Sequence, residues 1–215
     1  MPDKAKSSKR KTKRDIVVIG SSAGGVTALL EFAKSLPADF PAPIFVVQHV
    51  APHTHSILPD LISRVSPLKA KYPVNGEKYK PGFIYMAPPD HHLLVEGDKV
   101  LVTKGPKENK FRPSIDALFR SAAYVHGPRV IGVVLTGYLD DGTSGLWSVQ
   151  RLGGITVVQD PKDAPFPDMP SNALEFVEAD HIVPLAGLAS LLVRLTTEAA
   201  LSPQEFPKRT WNASK

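Results

Sequence analysis

Cysteine is absent from the 215 residues, which removes disulfides, a thiolate nucleophile and any Cys-based zinc site. No apolar run approaches the length of a membrane-spanning helix. Only Ile16-Val17-Val18-Ile19 follow Asp15 before the glycines begin, too few for the apolar core of a signal peptide. The chain therefore reads as cytoplasmic and not membrane-inserted. No internal repeat is found. No groove-reading motif or basic patch interleaved with aromatics is present either, which argues against a specific nucleic-acid partner. His53-x-His55 and His91-His92 have no carboxylate at ligand spacing, so no metal is expected.

The net charge of +5 misdescribes the body of the protein. Residues 1–14 hold Lys4, Lys6, Lys9, Arg10, Lys11, Lys13 and Arg14 against Asp3, a balance of +6, so the remaining chain carries −1. The basic character belongs to an unpatterned arm, 1–14, expected to be disordered. It acts as a solubilising tail, or by salt-sensitive attraction to an acidic partner or membrane. With 42% hydrophobic residues, 15–200 suits one α/β domain, and 201–215 reads as a loose tail.

What the chain does have is a glycine turn, Gly20-Ser21-Ser22-Ala23-Gly24-Gly25, between an apolar run and the helix-like stretch Val26–Lys34. Strand, glycines, helix is the first unit of a parallel α/β sheet, and such folds place their chemistry outside the carboxyl ends of the strands. A dinucleotide fingerprint fails because Ser22 replaces the second glycine and the next strand closes with Gln48-His49 instead of an acid. A phosphate loop fails because no Gly-Lys-Ser/Thr follows. No cofactor is expected. G-x-S-x-G is matched residue for residue by 20–24, and small flanking residues allow the tight turn that lifts a serine hydroxyl beside helix N-terminal amides.

Strands are predicted at Ile44–Gln48, near Ala70, and at Phe83–Met86, Val130–Leu135, Ile155–Val158 and Ile182-Val183. A hairpin is expected from Leu93–Val95 and Val100–Val102, and a proline-rich loop through Pro170. The pattern implies a three-layer α/β sandwich with a mainly parallel sheet and a hairpin insertion. Three strand ends then carry Ser22, His49 and Asp141. A hydroxyl needs a general base, imidazole suits that task, and a carboxylate fixes the imidazole tautomer. The order Ser, His, Asp is not that of an α/β-hydrolase. Asp140 and Asp141 could equally cap the helix that follows them, and Trp147 on that helix reads as core packing.

Those residues, together with Ala87-Pro88-Pro89-Asp90-His91-His92, Arg112-Pro113-Ser114-Ile115-Asp116 and Leu135-Thr136-Gly137-Tyr138-Leu139-Asp140-Asp141-Gly142, resemble the catalytic domain of the chemotaxis protein-glutamate methylesterases, CheB. The resemblance runs from about Asp15 to Ala199. It implies a hydrolase for methyl esters of glutamate side chains on chemoreceptors, with glutamine deamidation as a related activity. By the same resemblance Ser22 is the nucleophile, His49 the base, Asp141 the orienting carboxylate, and the amides of Ala23 and Tyr138 the oxyanion donors. Arg112 is a candidate substrate contact, or a structural part of its loop. The family commonly has Thr where Ala23 stands and Met-Gly-Asn where Tyr138-Leu139-Asp140 stands, which bears on substrate fit more than on mechanism. Many members carry a receiver domain ahead of the catalytic one. Here only the short arm precedes Asp15, so the expectation is activity without a phosphodonor. The rival readings are a non-catalytic docking module and an esterase or amidase for an unrelated substrate.

Overall fold

The computed structural model describes residues 13–53 and 56–200. Its central strand, β1 (Ile16–Ser21), is buried at every position, a pattern that requires cover on both faces. Val17 and Ile19 enter one core and Ile16 and Val18 the other, because successive side chains of a strand point to opposite faces.

The chain continues through α1 (Gly25–Lys34), β2 (Ile44–Gln48), α2 (Leu58–Val65), β3 (Lys69–Lys71) and β4 (Phe83–Met86). The hairpin of β5 (His92–Glu96) and β6 (Lys99–Thr103) follows, then α3 (Ile115–His126) and β7 (Val130–Val134). The remaining elements are α4 (Thr143–Arg151), β8 (Ile155–Gln159), α5 (Asp168–Phe176), β9 (His181–Val183) and α6 (Leu185–Thr197). Seven strands form one sheet in the order β3-β4-β2-β1-β7-β8-β9, parallel at every pairing, while β5 and β6 form a separate two-stranded antiparallel sheet. One core lies between the sheet and α1, α2 and α6, the other between the sheet and α3, α4, α5 and the hairpin. The expected three-layer α/β sandwich is thus present, with a sheet that is wholly parallel. From β1 the chain runs first to one side of the sheet (β2) and returns on the other (β7), so the carboxyl end of β1 sits at a topological switch point.

Two boundaries differ from expectation. Helix α5 starts at Asp168, inside the stretch expected to be loop. Pro170 falls in its first turn, where an N–H would have no intrahelical acceptor, so the proline costs little. At the amino end, Lys13 bridges Ala199, and Arg14 is buried with its Nη1 3.5 Å from Glu198. These two residues of the expected arm therefore belong to the folded body. Residues 1–12 of the arm, and the tail 201–215, lie outside the described residues. Among the described residues no helix is long and apolar enough to cross a membrane.

Candidate functional site

The ends of β1 and β2 are tied together by one buried side chain. Gln48 Oε1 accepts from Ser21 Oγ (2.8 Å), and its Nε2 donates to the carbonyls of Ser22 (2.8 Å) and His49 (2.9 Å). The His49 amide donates to Ser21 O at 3.0 Å, extending the parallel register by one step. Gly25 has to be glycine here, since a Cβ would collide with the Gln48 carboxamide. On the other side Ser22 N donates to Thr136 O (3.0 Å), locking the turn to the segment that leaves β7. Four backbone and side-chain links thus fix Ser22 and His49 before their own side chains meet.

They do meet. Ser22 Oγ lies 3.2 Å from His49 Nδ1, and His49 Nε2 lies 2.8 Å from Asp141 Oδ2. A carboxylate accepts only, so Nε2 carries the proton and the Nδ1 lone pair faces the serine. The ring is used the other way round from the trypsin-like arrangement, in which Nδ1 faces the acid. One face of the imidazole is covered by Phe111, stacked at 3.9 Å between centroids.

Asp141 is 0% exposed and accepts five hydrogen bonds. His49 Nε2 and Ile115 N (2.8 Å) reach Oδ2, while Ser114 Oγ (2.9 Å), Asp116 N (3.1 Å) and Asn109 Nδ2 (3.3 Å) reach Oδ1. Burial alone would push this carboxyl up. The His49 hydrogen bond and the Ile115 and Asp116 amides outweigh it, and the group is held below the ordinary carboxylate range. Asp141 does cap a helix, but the helix is α3, not the one that follows it. Asp140 is exposed, and its carbonyl accepts from Thr143 N.

Gly137 packs against the nucleophile so closely that a Cβ there would come 2.7 Å from Ser22 Cβ. The next amide, Tyr138 N, and the amide of Ala23 have no hydrogen-bond partner among the described residues. The side chains of Tyr138 and Leu139 are exposed at this edge, and Leu139 sits at φ 67°, in the left-handed region.

Arg112 donates to Asp90 from Nε (2.8 Å) and Nη2 (2.6 Å) and to Gly105 O from Nη1 (2.7 Å). Lys104 and Arg112 together hold the Asp90 carboxyl at about 2. These contacts anchor the loop that carries Asn109 and Phe111, which is the structural alternative for Arg112. His91 and His92 are tied to the carbonyls of Pro89 and Pro106, and no metal-binding group of side chains occurs among the described residues; His55 lies outside them. Trp147 packs at the edge of the core and lies under the Arg151 guanidinium at 5.0 Å.

The strand ends place Ser22, His49 and Asp141 at one edge and the family resemblance adds Ala23 and Tyr138; the structure brings the first three into contact. Sequence reasoning gave no role to Gln48, Asn109, Phe111, Ser114 or Asp116. The only available signal was the Pro-Ser-x-Asp helix start, which reads as an ordinary cap until its partner across the site is known.

Residues 17–192 match the model of the CheB methylesterase family. A Leptospira interrogans relative, bearing the provisional name protein-glutamate methylesterase/protein-glutamine glutaminase, is 38% identical over 182 residues, covering 84% of this chain and 94% of the relative. A Thermotoga maritima protein-glutamate methylesterase/protein-glutamine glutaminase is 38% identical over 184 residues, covering 84% of this chain and 54% of its own, so this chain spans about half of that longer relative. The crystal structure of the Thermotoga maritima CheB methylesterase catalytic domain superposes with a TM-score of 0.80 at 37% identity, covering 86% of this chain and 98% of that one.

Proposed function

The chain belongs to the CheB methylesterase family, and on that premise we propose that it hydrolyses methyl esters of glutamate side chains on chemoreceptors, with Ser22 as nucleophile, His49 as general base and Asp141 as orienting carboxylate. The observation that carries the reading is the continuous line from Ser22 Oγ through both ring nitrogens of His49 to a buried carboxylate, at the ends of adjoining strands.

Ser22 Oγ attacks the ester carbonyl while its proton passes to His49 Nδ1. Asp141, on Nε2–H, steadies the imidazolium that forms. The carbonyl oxygen takes up negative charge as the tetrahedral intermediate forms, and the unengaged amides of Ala23 and Tyr138 are the donors available to it. Collapse breaks the bond to the methoxy oxygen, which leaves as methanol with the proton from Nδ1. Water then attacks the acyl-enzyme by the same route and releases the glutamate carboxylate. The side chains of Tyr138 and Leu139, exposed beside the nucleophile, are placed to touch the receptor surface around the ester. A glutamine side chain fits the same scheme with ammonia as the leaving group, which accords with the second activity in the relatives' names.

The test is methanol release from methylated receptor membranes. Wild type should release it. Ser22→Ala and His49→Ala should each fall by about three orders of magnitude or more, and the double variant no further, since the pair acts as a unit. A Ser22→Ala protein that keeps most of the wild-type rate would overturn the assignment.

A further inference from the structure

Behind the triad lies a second buried carboxylate that the reaction scheme does not use. Asp116 is 3% exposed, in the first turn of α3. Its Oδ1 accepts from Gly142 N (3.0 Å), the residue just before α4, and from Gly145 N (2.6 Å) in its first turn. Its own backbone amide donates to Asp141 Oδ1 (3.1 Å). The two helices are therefore capped crosswise. Asp141, just before α4, caps α3, and Asp116, inside α3, caps α4. One amide nitrogen, Asn109 Nδ2, donates to both carboxylates and is the bridge between them.

No cation pairs with Asp116 among the described residues. Arg120, on the same helix, is taken by Glu108 (2.7 Å). Among the described residues the donors to the Asp116 carboxylate are the Gly142 and Gly145 amides and Asn109. Around it, on a cleft of about 480 Å³, are the charges of Glu108, Arg120 and Asp140, with Phe176 of α5 contributing none. From β5, His92 Nδ1 accepts the Ser114 amide, and on the far side of Asp141 stands His49, faced by Ser22 and Phe111. The negative charge on Asp116 thus has its shortest route to the reaction through Asp141.

We propose that Asp116, bridged by Asn109, is a positioning residue of this site: it holds Asp141 in place and, as a second negative charge behind it, sets the basicity of His49. This rests on the reading of Ser22, His49 and Asp141 as the reacting unit. Burial and the Asp141 charge raise the Asp116 carboxyl. Once ionised it favours the imidazolium. Removing that charge lowers the proton affinity of His49.

The variants are Asp116→Asn and Asp116→Ser. Both remove the charge and keep an oxygen for the α4 amides. Asp116→Ser avoids turning an NH₂ group toward Asn109, so one fold-competent variant suffices. Two readouts are taken across pH 5 to 9, with melting curves at each pH to confirm folding. One is kcat/KM for methanol release from methylated receptor membranes. The other is the rate of Ser22 labelling by a fluorophosphonate probe, which needs no receptor. The acidic limb of both profiles should move down by about half a unit to one unit in the variants. Profiles that overlay the wild type, with only a uniform loss of rate or stability, would reduce Asp116 to a helix cap and overturn the proposal. Labelling that shifts as expected while wild type releases no methanol would sustain the role of Asp116 and overturn the methylesterase reading. Absence of Ser22 labelling in folded wild type would overturn both.

Discussion

The imidazole of His49 lies flat on the ring of Phe111, with centroids 3.9 Å apart and planes 7° from parallel. Phe111 ends a tight turn, Glu108–Phe111, whose two strand-like hydrogen bonds (2.7 and 3.0 Å) close around Asn109 and Lys110 at φ 48° and 72°. The same turn therefore supplies the amide on Asp141 and the plane against the base. Stacking excludes water from one face of the ring and stops it from tipping out of line with Ser22.

Phe111→Ala should accordingly lower kcat/KM for methanol release by about tenfold, mostly through kcat, because small misalignments of a base are expensive. Phe111→Tyr keeps the plane and should stay near wild type. Steady-state kinetics on the two variants decide it, and an unchanged kcat in Phe111→Ala would show that the stack is passive.

Asp141→Asn should lower turnover by about three to four orders of magnitude, and stability by roughly 2 kcal/mol. Both oxygens face donors, so an amide NH₂ loses hydrogen bonds whichever way it is turned. Turned toward His49 it also forces the proton onto Nδ1, where the serine needs a lone pair. Asp140→Asn should change stability by less than about 0.5 kcal/mol, since the side chain is exposed. Urea denaturation and single-turnover rates distinguish the two, and equal losses would contradict the burial difference on which the assignment stands.

Much of this site was legible because strand ends are legible. Ile16–Ile19, Ile44–Val47 and Val130–Val134 are continuous apolar runs, so the residues just past them had to share one edge of a parallel sheet. The support behind Asp141 was not legible, for a physical reason. Capping signals are read locally, from a polar residue to the amides just after it, whereas here Asp141 serves α3 and Asp116 serves α4. Likewise the turn at Asn109-Lys110 adopts left-handed conformations that no glycine advertises. The packing of Lys13 and Arg14 against residues near Glu198 is a tertiary contact, invisible in a run of basic residues.

Leu139 holds φ 67° with a branched side chain that is 53% exposed, and its carbonyl is fixed by Asn172 Nδ2 at 2.7 Å. The left-handed region costs a non-glycine residue about 1–2 kcal/mol, while a glycine adds about 1 kcal/mol of unfolded-state entropy. Leu139→Gly should therefore leave stability unchanged or raise it by at most about 1 kcal/mol. The lost side chain should raise KM for methylated receptor several-fold with kcat nearly constant, because an exposed leucine beside the nucleophile is best explained by contact with substrate. Denaturation midpoints and Michaelis parameters test the two halves separately. A variant destabilised by more than about 1 kcal/mol would show that the strain is not there.

The Asp116 carboxyl is raised from 3.8 to about 6, by burial first and the Asp141 charge second, against the Gly145 and Gly142 amides and Asn109. The native state therefore holds this proton more tightly than the unfolded chain does. Its contribution to stability is complete below the unfolded value near 3.8 and is lost as pH rises through about 6, where a buried charge has to be carried. Asp141 acts in the opposite sense: its lowered value contributes stability above the ordinary carboxylate range, lost only as the solution becomes more acid than that range. Between pH 4 and 6.5 the Asp116 effect should dominate. In Asp116→Asn the amide cannot ionise, and any hydrogen bond it loses to Asn109 is lost equally at every pH. The stability of the variant relative to wild type should thus improve from pH 4 to pH 6.5, by on the order of 2 kcal/mol. Urea denaturation of both proteins at half-unit intervals measures this difference directly. A difference that stays flat, or runs the other way, would mean that Asp116 is ionised throughout and that the crosswise caps neutralise it fully.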